Sequence, residues 1–249
     1  MKSPIKHEGV TELFSGIDIS QTRDYIKIHC NTYLDRVFKR HHHWMDTIPF
    51  DNEPHPMRSD SEYATTLEED SSTTIDQIVI LEEEFQFKYR SVTGELIFAM
   101  VTTRPDISFH IIKLCQYNAC PGRSHFDAVK KLLLYLRNTA NDGIYFWRSS
   151  PNKHLPTGPL PTIRQDPYVR TEFPDNTKPL IPFGFVDSDW ASDTTHRRSV
   201  SGIAIMYGGA VIAYKSGYQK TVADSSTEAE FYALVDARKN DTVSPQRSS

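Results

Sequence analysis

Apolar positions along this chain follow two rhythms that change several times. Leu13-Phe14-Ser15-Gly16-Ile17-Asp18-Ile19 and Tyr25-Ile26-Lys27-Ile28 are short apolar runs separated by the turn-like Ser20–Asp24, a hairpin pattern. Tyr33, Leu34, Val37 and Phe38 then recur at helical spacing, which predicts a helix from about Asn31 to His42. Residues 46–75, with Pro49, Pro54 and Pro56 and a Ser/Thr-rich acidic run, read as a linker or loose loop; Leu81–Phe87 either extends the next helix or stays unstructured. From Tyr89 the helical period returns, with Leu96, Ile97, Met100 and Val101 as one stripe. Pro105 suits the first turn of a further helix faced by Ile107, Ile111, Leu114 and Cys115. Pro121-Gly122 breaks the period. A helix over Ser124–Asn138 carries Phe126, Val129, Leu133 and Leu136 on one face, and Ile144–Trp147 reads as a strand.

Residues 149–179 are proline-rich and predict a second linker at a domain boundary. Beyond it the pattern predicts a strand at Phe183–Ser188, a hairpin of Ser201–Tyr207 and Val211–Lys215 turned at Gly208-Gly209, and a helix from Ser226 to about Arg238. The last stretch, 239–249, has no period and is expected to be disordered. The fold class is therefore α+β.

Composition adds little until it is read by position. The net charge is −4, yet nine acids and no Lys or Arg lie between Ser59 and Phe87. The rest of the chain holds 28 basic against 23 acidic side chains, a balance compatible with nucleic-acid binding. Cys30, Cys115 and Cys120 are an odd number without metal-ligand spacing, as expected of reduced thiols in an intracellular (cytoplasmic or nuclear) protein. No run is long and apolar enough to predict a membrane span, and no signal peptide is visible behind Met1.

Candidate chemistry centres on two carboxylates. On the strand Phe183–Ser188, Phe183, Phe185 and Asp187 share a face, and two aromatics predict that this face is buried. Glu230 shares a helical face with Ala233, Leu234 and Ala237, so it too is expected to point inward. Two acids aimed at one interior suggest a divalent-metal site; the alternative is a pair of solvated acids at element ends. Glu228 is accounted for by a capping box with Ser225. Three further sets have plain readings beside their functional ones. His41-His42-His43 is a metal candidate or a solvated helix end. Lys130, Lys131 and Arg137 are phosphate contacts or a solvated face. Tyr145, Phe146 and Trp147 are core or a base-stacking platform.

Three blocks carry a family resemblance: Phe185-Val186-Asp187-Ser188-Asp189-Trp190-Ala191-Ser192-Asp193, Arg197-Arg198-Ser199-Val200-Ser201-Gly202, and Ser225-Ser226-Thr227-Glu228-Ala229-Glu230-Phe231-Tyr232-Ala233-Leu234. In that order and spacing they resemble the RNase H domain of copia-type retrotransposon polyproteins. Upstream, Tyr89–Leu96, Thr103-Arg104-Pro105-Asp106-Ile107, Pro121 with His125, and Leu134–Thr139 resemble the end of the same polyprotein's reverse transcriptase. Phe14–Ile19 with Tyr33-Leu34 resembles the segment just after that enzyme's palm.

The resemblance implies a division of the chain. Residues 1–148 would be palm edge, thumb and connection, interrupted by an acidic linker at about 46–85; residues 180–238 would be a truncated RNase H fold of three antiparallel strands and the first helix. It implies RNA–DNA hybrid as the partner, Mg²⁺ as the cofactor, and Asp187 and Glu230 as metal-holding catalytic acids. The chain departs from the family in having no Asp-Asp pair for a polymerase site and no later RNase H aspartate. Asp236 lies six residues past Glu230, roughly 240° round the helix. A catalytically inactive remnant is the expectation. The alternatives are an RNase H completed in trans and a non-catalytic nucleic-acid-binding protein.

Overall fold

The computed structural model describes residues 10–46, 55–57, 61–70, 74–148, 152–157, 182–189 and 198–240. The chain opens with β1 (Leu13–Phe14), β2 (Ile17–Gln21) and β3 (Tyr25–His29) and continues into α1 (Asn31–Met45). Next come α2 (Ser61–Glu69), α3 (Ile75–Phe85), α4 (Tyr89–Thr102), a 3₁₀ turn at Pro105–Ile107, α5 (Ser108–Cys115) and α6 (Arg123–Asn138). Then follow β4 (Ile144–Trp147), β5 (Phe183–Asp189), β6 (Val200–Tyr207), β7 (Ala210–Tyr218) and α7 (Ser226–Asn240). The architecture is mixed α+β with antiparallel sheets.

Helices build one core. Leu34 and Val37 of α1, Phe85 of α3, Tyr89, Val92 and Leu96 of α4, Ile111 and Leu114 of α5, and Phe126, Val129, Leu133 and Leu136 of α6 belong to a single buried cluster. Phe126 is its hub: its ring lies 5.0 Å from Phe85, 5.4 Å from Phe87 and 5.2 Å from Tyr89. The predicted faces of α5 and α6 match, except that Cys115 is only half-buried. On α4 the inward stripe is Tyr89, Val92, Leu96 and Ala99, while Ile97 and Val101 are exposed. That helix is apolar on most sides, so periodicity alone does not select its inward face.

The acidic segment departs most from the sequence reading. Within 46–85, expected to be a linker, the described residues form α2 and α3. The entry to α3 is a capping box: Gln77 N–H donates to Thr74 Oγ1, and Thr74 N–H donates to the Gln77 side chain at 3.1 Å. Gln86 takes a left-handed conformation (φ 60°), which ends α3 and keeps it separate from α4. The acids of this segment are anchored by the helical body. Asp70 accepts from the Ser124 N–H at 2.7 Å at the start of α6, Glu84 pairs with Arg123, and Glu68 lies 3.5 Å from the largely buried Lys113.

Two sheets flank the helices. One runs in the order β1-β2-β3-β4, with β4 pairing antiparallel to β3. Gly143 permits this return, because a Cβ there would sit 2.6 Å from the Ile28 carbonyl. The other sheet runs β5-β6-β7, and its hairpin turns at Gly208 (φ 60°) and Gly209 (φ 79°), as two left-handed residues in a tight turn require. Trp147 N–H donates to the Gly208 carbonyl at 3.0 Å, and the Tyr214 hydroxyl donates to the Met100 carbonyl; these bonds tie the second sheet to β4 and α4. Of the proline-rich stretch, 152–157 run beside the β2–β3 turn, where Asn152 N–H donates to the Arg23 carbonyl and Arg23 N–H to the Pro156 carbonyl, both at 2.9 Å. The rest of 149–179, and 241–249, lie outside the described residues.

Candidate functional site

Strand alternation decides where each carboxylate goes. Asp187 pairs in register with Gly202, and Phe185 with Ala204, so these residues share one side of the β5-β6-β7 sheet. Tyr214, opposite Ala204, is on that side too, and it reaches α4. Ser201, Ile203 and Ile205, with Lys215 opposite Ile203, point the other way. That other side is the one α7 covers. Gln219 Nε2 donates both to Ser201 Oγ at 2.9 Å and to the Ala229 carbonyl at 2.7 Å, and Lys215 pairs with Asp236 of α7.

The face carrying Phe183, Phe185 and Asp187, expected to be buried, is exposed: Phe183 keeps 52 % and Phe185 63 % of its surface. The cause is that β5 is the outer strand of the sheet and its helix lies on the opposite side. Glu230 is exposed as well. Of the predicted stripe Ala233 does face inward, but its inward companion is Ala229, and Glu230, one residue and about 100° further round, and Leu234 are exposed. The helix entry meets half of the expected capping box: Glu228 N–H donates to Ser225 Oγ at 3.2 Å, but the Glu228 carboxylate accepts from Asp224 N–H, one residue before Ser225, and from the Tyr232 hydroxyl, both at 2.7 Å. The Tyr232 hydrogen bond and that backbone bond hold the Glu228 carboxyl below its ordinary range.

The strand thus separates Asp187 from Glu230. Among the described residues no group of three or more His, Cys, Asp or Glu side chains is placed to hold a metal ion. Mg²⁺ asks for near-octahedral oxygen ligation, usually with one or two carboxylates converging on it. The present arrangement does not provide that convergence.

Asp187 instead lines a groove of about 360 Å³ between the sheet and the 3₁₀ turn with α5. Phe185, Gly202, Ala204 and Tyr214 line one side, and Pro105, Asp106, Ser108 and Phe109 the other. Asp106 is already committed. Arg104, 1 % exposed, donates from Nη2 to Asp106 Oδ2 and to Thr139 Oγ1, each at 2.7 Å, and from Nη1 to the Thr139 carbonyl at 3.0 Å. The Tyr135 hydroxyl donates to Asp106 Oδ2 at 2.9 Å. Burial pulls the Arg104 guanidinium down, but the bonds and charge of Asp106 outweigh it, and the group is held above its ordinary value. This cluster joins the 3₁₀ turn to the end of α6. Sequence reasoning took Arg104-Pro105-Asp106 as a helix start and a family block, and missed the ion pair of the buried Arg104. A charged side chain beside helix-starting proline was the available signal.

Several of the weaker candidates make contacts within the fold. Lys130 Nζ stands 4.8 Å over the Trp44 ring and 5.6 Å from that of Phe85, and Arg137 donates to the Met45 carbonyl, so both brace α6 against its neighbours. Lys131 is half-buried. In the histidine run, His42 and His43 are exposed, but His41 is buried, with Nε2 3.5 Å from Glu95 Oε2. Burial lowers His110 and His125 to about 4. Tyr145, Phe146 and Trp147 are half-buried, and Tyr145 and Trp147 make edge contacts with Tyr25.

Two sheets on a helical core, the second backed by a single helix, define an α+β protein whose candidate acids sit on the outer strand and the last helix. Its relatives place it further. It is 33 % identical over 151 residues to the retrovirus-related Pol polyprotein from transposon TNT 1-94 of Nicotiana tabacum, covering 61 % of this chain and 9 % of that one. It is 30 % identical over 148 residues to the Pol polyprotein from transposon RE2 of Arabidopsis thaliana, covering 59 % and 8 %. With secreted RxLR effector protein 161 of Plasmopara viticola it shares 32 % identity over 149 residues, 60 % of this chain and 85 % of that protein. Over about 60 % of its length the chain is thus similar to retrovirus-related Pol polyproteins of transposons. It spans less than a tenth of the length of the transposon polyproteins it matches. No family model matches it, and neither does any solved structure. Among the described residues no helix is long and apolar enough to cross a membrane.

Proposed function

We propose that the chain is a copia-type piece in which residues 1–148 derive from the end of a reverse transcriptase and residues 180–238 from the beginning of an RNase H domain, and that it does not itself cleave RNA. The observation that carries this reading is the coincidence of motif and element. Phe185–Asp189 of the first block lie on β5, Arg198–Gly202 lead into β6, and the Glu230 block opens α7, with the strands antiparallel and adjacent in sequence order. Asp187 and Glu230 are the acids this origin would assign to Mg²⁺ and an RNA–DNA hybrid. Their placement on different sides of a strand supports inactivity, because one cation needs both within reach. The protein would act inside the cell, on the nucleic acid of its element, or on nothing at all.

The test is hybrid cleavage by the whole purified chain. No cutting is expected with Mg²⁺ or without it, and Asp187→Asn should make no difference. Mg²⁺-dependent cutting that Asp187→Asn abolishes would overturn the assignment of inactivity and favour a site completed between copies. Hybrid binding without cutting, weakening steeply with salt, would favour a nucleic-acid-binding role.

A further inference from the structure

On α7 the large apolar residues face outward. Ala229 and Ala233 pack on the sheet, whereas Phe231 (61 % exposed), Leu234 (57 %) and Val235 (36 %) form a stripe on the opposite side of the helix. A single exposed leucine is ordinary, but three large apolar side chains at i, i+3 and i+4 on one face are a contact surface.

We propose that this stripe binds a second copy of the chain, α7 lying antiparallel on α7 about a twofold axis near Leu234. The argument for a second copy is charge. Glu230 borders the stripe four residues before Leu234, and Arg238 lies in it four residues after; both are exposed. Each is about 6 Å from Leu234 along the helix axis. A twofold axis at Leu234 therefore sets each Glu230 beside the partner's Arg238, twice over, around a shared apolar centre. A parallel pairing would oppose like charges and is disfavoured. One helix-to-helix contact is at the small end of specific interfaces, so association is weak and depends on concentration.

Sedimentation velocity of the full chain over a concentration series tests this. A monomer–dimer equilibrium is expected. Leu234→Asp, an exposed position whose change leaves the helix intact by circular dichroism, should leave only monomer. Arg238→Glu should weaken dimerisation about tenfold. Adding Glu230→Arg to Arg238→Glu should restore it, because the pair is then reversed rather than removed. A chain that stays monomeric at every concentration overturns the proposal. So does a dimer that survives Leu234→Asp, or a charge reversal that does not rescue.

Discussion

The helical body and the β5-β6-β7 sheet with α7 bury their aromatics in opposite ways. In the body, Phe126 is fully buried and surrounded by three aromatic rings. In the sheet unit, Phe183, Phe185 and Phe231 each keep more than half of their surface, and the residues turned inward from α7 are alanines. Polar groups follow the same division. The body buries the cations of its ion pairs, Arg104 beside Asp106 and Thr139 and Lys113 beside Glu68, whereas Lys215 and Asp236 meet at the surface. The body closes its own core, while the sheet unit depends on what it touches. Its present support is Tyr214 on α4 and Trp147 against Gly208 and Gly209.

The same substitution made in both regions should have very different effects. Phe126→Ala should cost about 4 kcal/mol, because a fully buried ring leaves a cavity that its neighbours cannot fill. Phe185→Ala should cost less than about 0.5 kcal/mol, since that ring is already mostly in water. Urea unfolding of both variants decides it; equal losses would mean that the outer strand is as enclosed as the body.

Acid separates the regions next. His110 and His125, both in the body, are lowered by burial from 6.5 to about 4, so the folded state holds them neutral. At pH above 6.5 they are neutral folded and unfolded, and the stability is fully present. As pH falls from 6.5 toward 4 the unfolded chain takes up protons that the folded chain refuses. Stability is lost through that window, by up to about 3 kcal/mol per histidine. His125→Gln should flatten part of the loss in urea midpoints measured between pH 7 and 4. An unchanged slope would show that His125 is not held neutral.

Two glycines give a smaller contrast. A Cβ on Gly122 would lie 2.2 Å from the Asp70 carbonyl, so Gly122→Ala must push α2 away from α6 and should cost about 2 kcal/mol. At Gly202, in the middle of β6, nothing lies within 4 Å, and Gly202→Ala should be neutral or stabilising by about 0.5 kcal/mol. Thermal melts of the two variants give the comparison directly.

Much of the fold was legible because its signals are local. The β2–β3 turn, α6 with its stripe, the Gly208-Gly209 hairpin and the Ser225–Glu228 cap each depend on residues a few positions apart. The helices of the acidic stretch were missed although Thr74 and Gln77 stood at capping-box spacing; high charge masked the signal, and the charges turned out to be partnered by Arg123, Lys113 and the start of α6. The candidate site was legible in its residues and illegible in its placement. Alternation puts Phe183, Phe185 and Asp187 on one face, but it cannot say on which face the helix lies.

Outside the acidic stretch, element type, the Gly208-Gly209 turn and the kinship with transposon polyproteins are written in the sequence itself, through side-chain period, turn residues and motif order. Which side of β5 receives α7, which stripe of α4 turns inward, and whether Asp187 and Glu230 converge were settled only by tertiary packing. A strand offers two faces and an apolar helix several, and the choice among them belongs to contacts between residues far apart in the chain, such as Tyr214 with Met100 and Gln219 with Ala229.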